Sequence, residues 1–203
     1  MSTQAPPLEG VRSISFEEYL EAYDGVHAEW VDGRVVVMSP GNRSQSRLTR
    51  FLSGVLQHWA EAHDLGEVFV PPFALRLGNG VAREPDVFFL RGDRAGQVHG
   101  TYVQAPADLV IEILSPSSRG TDRGDKFYEY EEAGNSEYWL IDPEREVVEA
   151  YRLTGRGQYE RRDVGVQMVL TSDALPGMRL PVEWLWQEPL PKLSWVIQEW
   201  GLI

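Results

Sequence analysis

The sequence predicts an α/β fold from three observations: a long amphipathic helix early in the chain, apolar runs of strand length around its middle, and a strand, a helix and a strand in succession between residues 108 and 142. The chain has 203 residues, 42% of them hydrophobic, which suffices for the core of one ordinary domain. No internal repeat, linker or low-complexity stretch marks a boundary. A single domain over residues 1–203 is therefore expected, with about residues 1–12 as a flexible N-terminal extension.

In SFEEYLEAYDG, Ser15 followed by Glu18 matches a capping box at the start of a short helix. HAEWVDGRVVVM then reads as a hairpin turning at Asp32 and Gly33. From Asn42 to His63, Leu48, Phe51, Leu52, Val55, Leu56 and Trp59 recur at helical spacing, with Arg43, Arg47 and Arg50 on the opposite face. The runs EVFV, FALRL and DVFFL follow as strands, then a glycine-bearing loop from Arg91 to Gly100, then DLVIEIL, and the centre of the sheet is expected among them. A second helix is expected from about Asp122 to Ala133, capped by Thr121 and stopped by Gly134, leading into the strand EYWLID as a crossover unit. VVEAYRL and QYERRD read as outer antiparallel strands. The tail VEWLWQEPLPKLSWVIQEW holds four of the seven tryptophans and is expected to pack as short helices or turns. In it, Val196 and Trp200 are spaced to form an apolar helix edge that suits a dimer surface.

Thirty-one acids against 19 bases give a formal charge of −12, which repels nucleic acid at long range and favours a basic partner or a small substrate. There is no cysteine, so disulfides, thiolate zinc sites and cysteine nucleophiles are excluded. The start MSTQAPPLEG lacks both the basic residues and the apolar stretch of a signal peptide, and no later segment approaches a membrane span, so a cytoplasmic protein is expected. His27, His58, His63 and His99 show no HExxH spacing, GNRSQS lacks the GK[ST] ending of a phosphate loop, and the serines of LSPSSRG lack a GxSxG frame. All of these read as structural.

The most informative residue is Glu112, which lies inside DLVIEIL, a run that reads as a strand buried on both faces. An ionised carboxylate there is costly unless compensated. Asp86 opens another apolar run in REPDVFFL, and Lys126 follows about one short helix after Glu112. Mg²⁺ prefers hard oxygen ligands and usually takes one or two protein carboxylates, so two acids at strand positions with one lysine suggest a divalent metal site. Each residue has a plainer reading beside this one: Glu112 paired with a buried Arg or Lys, Asp86 in a local turn, Lys126 solvated on its helix.

The segments AEWVDGRVVVMSPG, REPDVFFL, ADLVIEILSPSSRGTDRGDKFYEY, AGNSEYWLIDPEREVVEAYR and LPGMRLP carry a resemblance in order and spacing. Together they resemble the Uma family of bacterial restriction-type endonucleases, within the PD-(D/E)xK nuclease superfamily. The resemblance implies a restriction-endonuclease-like core, a mixed sheet flanked by helices, with an added N-terminal hairpin and outer antiparallel strands. It implies Asp86 and Glu112 as ligands of Mg²⁺ or Mn²⁺, completed by the backbone carbonyl of Ile113. The superfamily lysine two residues after the acid is replaced here by Leu114, and the family resemblance places that lysine at Lys126, with Tyr130 one turn later on the same face. Glu29 matches the family's acid on the early hairpin, as a catalytic group or ligand of a second metal; its plainer reading is an exposed strand residue. Gln45 stands where relatives commonly carry a histidine.

The activity so implied is metal-dependent hydrolysis of DNA, leaving a 5′-phosphate and a free 3′-hydroxyl, by a chain that pairs as a homodimer. Phosphate contacts are expected from Arg43 and Arg47 on one helix face and from Arg119 and Arg123 on another, the second stripe aligning with Lys126 if its helix begins early. DNA is expected to bind weakly until the metal arrives, because acidic ligands repel phosphate. Two other readings stand beside this one: a catalytically silent nuclease-like binding or transposon-associated accessory protein, and a hydrolase of a small phosphorylated substrate.

Overall fold

The computed structural model describes residues 13–39, 41–78, 80–116, 118–165 and 168–203. The expected extension over residues 1–12 lies outside them. Helix α1 (Phe16–Ala22) starts with the capping box foreseen at Ser15 and Glu18 and leads into the hairpin of β1 (Ala28–Val31) and β2 (Arg34–Val37). The hairpin turns on Asp32 and Gly33, both with positive φ, as a two-residue turn that follows strand twist requires.

Helix α2 (Arg43–Ala62) has Asn42 as its N-cap, and Asn42 and Gln45 satisfy each other's backbone N–H groups. Its buried face is Leu48, Phe51, Leu52, Val55, Leu56, Trp59 and Ala60. Strands β3 (Gly66–Phe69), β4 (Ala74–Gly78), β5 (Val81–Arg83), β6 (Val87–Arg91), β7 (Tyr102–Gln104) and β8 (Leu109–Ile113) follow, with a 3₁₀ segment at Gly92–Gln97 in the glycine-bearing loop. After β8 come helices α3 (Arg119–Arg123) and α4 (Asp125–Glu132), then β9 (Glu137–Asp142), β10 (Val147–Leu153) and β11 (Tyr159–Arg162). The tail carries a 3₁₀ segment at Val182–Trp186 and helix α5 (Leu193–Glu199).

Strands β1 to β11 divide between two mixed sheets, and Val169–Leu170 and Leu180–Pro181 pair as a separate antiparallel ladder. The larger has the order β11-β10-β9-β8-β6-β3, antiparallel except for the parallel pair β8 and β9 joined through α3 and α4. VVEAYRL and QYERRD form its outer antiparallel edge, as their sequence predicts. The smaller sheet has the order β2-β1-β5-β4-β7, so FALRL lies beside the hairpin rather than among the central strands. Pro71 and Pro72 separate β3 from β4, and two residues without N–H donors cannot continue a ladder.

Alternation along β8 decides where Glu112 points. Leu109, Ile111 and Ile113 pack with α2, whereas Val110 and Leu114 pack with Tyr130 of α4 and with Tyr138 and Leu140 of β9. Glu112 therefore emerges on the face covered by α3 and α4.

Two expectations are corrected. The helix foreseen from Asp122 to Ala133 is two helices broken at Gly124, and Thr121 lies inside α3 rather than capping it. Gly134, with φ +82°, ends the pair as expected. Val196 is fully buried in the core beside α2, and Trp200 packs edge-on to Trp59, so this helix edge is spent inside the chain instead of forming a dimer surface.

Candidate active site

Glu112, Asp86, Lys126 and Glu29 come together in one cavity of about 970 Å³ between the two sheets. Asp86 precedes β6, which runs antiparallel to β8 with Val87 opposite Ile111, and this register sets Asp86 beside Glu112. Oδ2 of Asp86 accepts the N–H of Ile113 at 2.7 Å. Glu29 reaches in from β1, and Lys126 from the first turn of α4. The ammonium of Lys126 stands 2.9 Å from Glu112 Oε1, 2.9 Å from Glu29 Oε1 and 3.3 Å from Asp122 Oδ1.

Asp122 and Arg83 are site residues that the sequence reading missed. Asp122 lies one turn before Lys126, a spacing that could have drawn attention to it. Arg83 donates to Glu29 Oε2 at 2.7 Å and makes a two-pronged pair with Glu129 of α4, which ties β5, β1 and α4 together. Its partners belong to two distant segments, so no local spacing announces it.

Tyr130 donates to Glu112 Oε1 at 2.8 Å, but it is fully buried and is not part of the cavity wall. It positions Glu112 from behind. The carbonyl of Ile113 accepts a hydrogen bond from Nε2 of Gln45 at 3.0 Å. Gln45, by also closing the capping box of α2, fixes that helix start against the end of β8.

Electrostatics in the cavity follow from burial and crowding. Burial raises the pKa of Asp86 to about 6, with the charges of Asp122 and Glu29 adding to it and the Ile113 N–H and Lys126 opposing. Burial likewise pushes Glu112 up, with Lys126 opposing and Asp122, Asp86 and Glu29 adding. Glu29 is also buried, yet Lys126 and Arg83 hold it below the usual carboxylate value. Burial works against the charge of Lys126, but Glu112, Glu29 and Asp122 keep its pKa well above that of an ordinary lysine. At the cavity edge, burial raises Glu84 to about 7, although it accepts from the Ala28 N–H and the Tyr19 hydroxyl.

The donor set fits a divalent cation. Glu29, Asp86, Glu112 and Asp122 offer hard oxygens around one lysine, while the charge of Arg83 is shared between Glu29 and Glu129. Glu29 Oε1 and Asp122 Oδ1 are buried with no hydrogen bond, only the ion pair with Lys126. Among the described residues, no group of three or more His, Asp or Glu side chains is already arranged as a metal cage. The oxygens of three carboxylates gather on the ammonium instead.

The arginine stripes lie elsewhere. Arg43 and Arg47 pair with Glu188, and Arg47 also donates to the carbonyl of Gln187, so they fasten the tail to α2. Arg119 is bonded to Asp142 and Glu144, and Arg123 to Glu149. Contrary to the expected alignment, the break at Gly124 turns Lys126 toward the cavity while Arg119 and Arg123 face away from it.

A family model described as "Uma2: Putative restriction endonuclease" matches residues 16–183. Among solved structures, the chain is similar to a crystal structure described as a putative nuclease belonging to DUF820 from Anabaena variabilis, with a TM-score of 0.66 and 18% identity. That match covers 78% of this chain and 89% of the other. No curated protein sequence matches.

Proposed function

Because the chain belongs to the Uma2 family of restriction-endonuclease-like proteins, we propose that it is a Mg²⁺- or Mn²⁺-dependent endonuclease hydrolysing DNA phosphodiester bonds in the cavity between the sheets. One observation carries the reading: four carboxylates and a buried lysine share a cavity large enough for a nucleotide unit. Asp86, Glu112 and Glu29 would hold the ion, with Asp122 beside them. The carbonyl of Ile113 has a second lone pair left beyond its bond to Gln45. A divalent ion there supplies Lewis acidity toward the phosphoryl oxygen and eases ionisation of the attacking water.

The residues of the chain do the rest. Lys126, held protonated by its three carboxylate neighbours, cannot take a proton from water. It orients the nucleophile and counters negative charge on the phosphate. Asp86, whose Oδ2 is fixed by the Ile113 N–H, keeps Oδ1 for the reaction and titrates closer to neutrality than an ordinary aspartate. Tyr130 and Arg83 hold Glu112 and Glu29 in place, one from each side.

Plasmid and single-stranded DNA incubated with the purified protein and Mg²⁺ or Mn²⁺ test the proposal. Asp86→Ala and Lys126→Ala are each expected to lower the cleavage rate by about 100-fold or more. Cleavage that persists in both variants, or its absence with either metal in the parent protein, overturns it. No Mn²⁺-dependent thermal shift in the parent, or an undiminished one in Glu112→Gln, removes the metal from the reading.

A further inference from the structure

The geometry points to a second anion-binding groove, on the far side of α3 from the acidic cavity, which takes backbone phosphates of the nucleic acid substrate; it rests on the nuclease reading. The groove encloses about 760 Å³, and Arg119, Arg123, Arg145 and Arg161 line it with Glu149 as the one acid among its described lining residues. In a chain of net charge −12, four guanidiniums around one hollow are a local reversal of sign.

Their supports are already in place. Arg119 and Arg123 stand one turn apart on α3, fixed by Asp142 and Glu149, so little freedom is lost when they meet a ligand. Arg145 projects from the turn between β9 and β10 with its side chain 64% exposed. Arg161 sits opposite Tyr151 in the β10–β11 pair, on the face that also carries Glu149. The carboxylates of Asp142, Glu144 and Glu149 offset part of this charge, so the groove suits one or two phosphates and weak, salt-sensitive binding.

The route between the two hollows is short. Pro116 lines both, Ser118, Thr121 and Asp122 face the acidic cavity, and Arg119, Gly120 and Arg123 face the groove. A helix with its side chains is roughly 10 Å across, and B-DNA advances about 3.4 Å per nucleotide of one strand. One strand's backbone can therefore pass both hollows within a few nucleotides.

Fluorescence anisotropy of a labelled DNA duplex in EDTA, across a salt series, tests this without cleavage. Arg145→Ala with Arg161→Ala is compared with Arg156→Ala and Lys192→Ala, which removes the same charge from exposed positions outside the groove. The groove variant is expected to bind roughly tenfold more weakly, with a salt slope lower by about 2, while the control stays near the parent protein. Equal losses in both variants, no loss in the groove variant, or no duplex binding by the parent protein at low salt overturns the groove. Cleavage is scored separately with Mg²⁺ or Mn²⁺. A protein that cleaves DNA while the groove variant binds normally keeps the nuclease reading and loses the groove; one that binds through the groove and never cleaves does the reverse.

Discussion

Lys126 keeps its charge at a depth where burial alone would remove it, because three carboxylates stand within 3.3 Å of its ammonium. The cost of Glu112 inside DLVIEIL is met the same way, by Lys126 and the Tyr130 hydroxyl. Glu112 was legible in the sequence, since an acid within a fully apolar strand demands compensation, whereas the role of Lys126 came from the family resemblance. Arg83 was hidden because its role depends on which distant segments meet, whereas Asp122 was marked only by its i,i+4 spacing to Lys126. The depth of Tyr130 separates support from chemistry. Tyr130→Phe is expected to lower stability by about 1–2 kcal/mol, by removing a donor from a buried carboxylate. The same change should reduce kcat/KM by less than about tenfold, since a supporting hydrogen bond is worth roughly that much, and shift the acidic limb of the pH–rate profile upward. Denaturant unfolding and a pH profile of cleavage check both. A loss far beyond tenfold in a folded Y130F protein, with the residual activity keeping the parent's pH profile, would place the hydroxyl in the reaction itself.

The α3–α4 pair is the element on which the site depends. Gly124 breaks it, and a Cβ there would lie 2.8 Å from the carbonyl oxygen of Gly120. Gly124→Ala is expected to cost about 1–3 kcal/mol through this clash. It should also weaken cleavage, because Asp122 and Lys126 lie on opposite sides of the break. Thermal unfolding and activity measured on the same sample test this; a neutral effect on both would show that the neighbouring backbone yields easily. Periodicity foretold α2, the hairpin and the β8–α–β9 crossover, since each carries its own caps, turn residues or apolar run. It did not reveal the break. Gly124 sits within a helical pattern whose other residues, Asp125 to Glu132, fit one continuous helix. Nor did it separate β4 from the central strands or find the three-residue β5, because pairing partners are set by tertiary contacts.

At the scale of the whole molecule, the buried carboxylates set an uncommon pH dependence. A carboxyl whose pKa is raised by folding binds its proton more tightly in the fold than in the unfolded chain. Its contribution to stability therefore falls as pH rises from the unfolded value to the folded one. For Asp86 that window runs from 3.8 to about 6, and for Glu84 from 4.5 to about 7, with Glu112 acting in the same sense. His27, lowered by burial, works the other way. With divalent ions chelated, Tm is expected to fall between pH 5 and pH 7.5, and a Tm that holds or climbs over this range would contradict the burial of these acids. Added Mn²⁺ should offset the fall. Among the described residues, no helix is long and apolar enough to cross a membrane.

Lys126 touches Glu29 in the smaller sheet and Glu112 in the larger, and Arg83 adds a second stitch from Glu29 to α4. The seam between the two layers is thus fastened at the spot where chemistry is proposed. Prising the layers apart to admit a bulkier guest means unpicking the charges that would act on it, so cohesion and reactivity share one keystone.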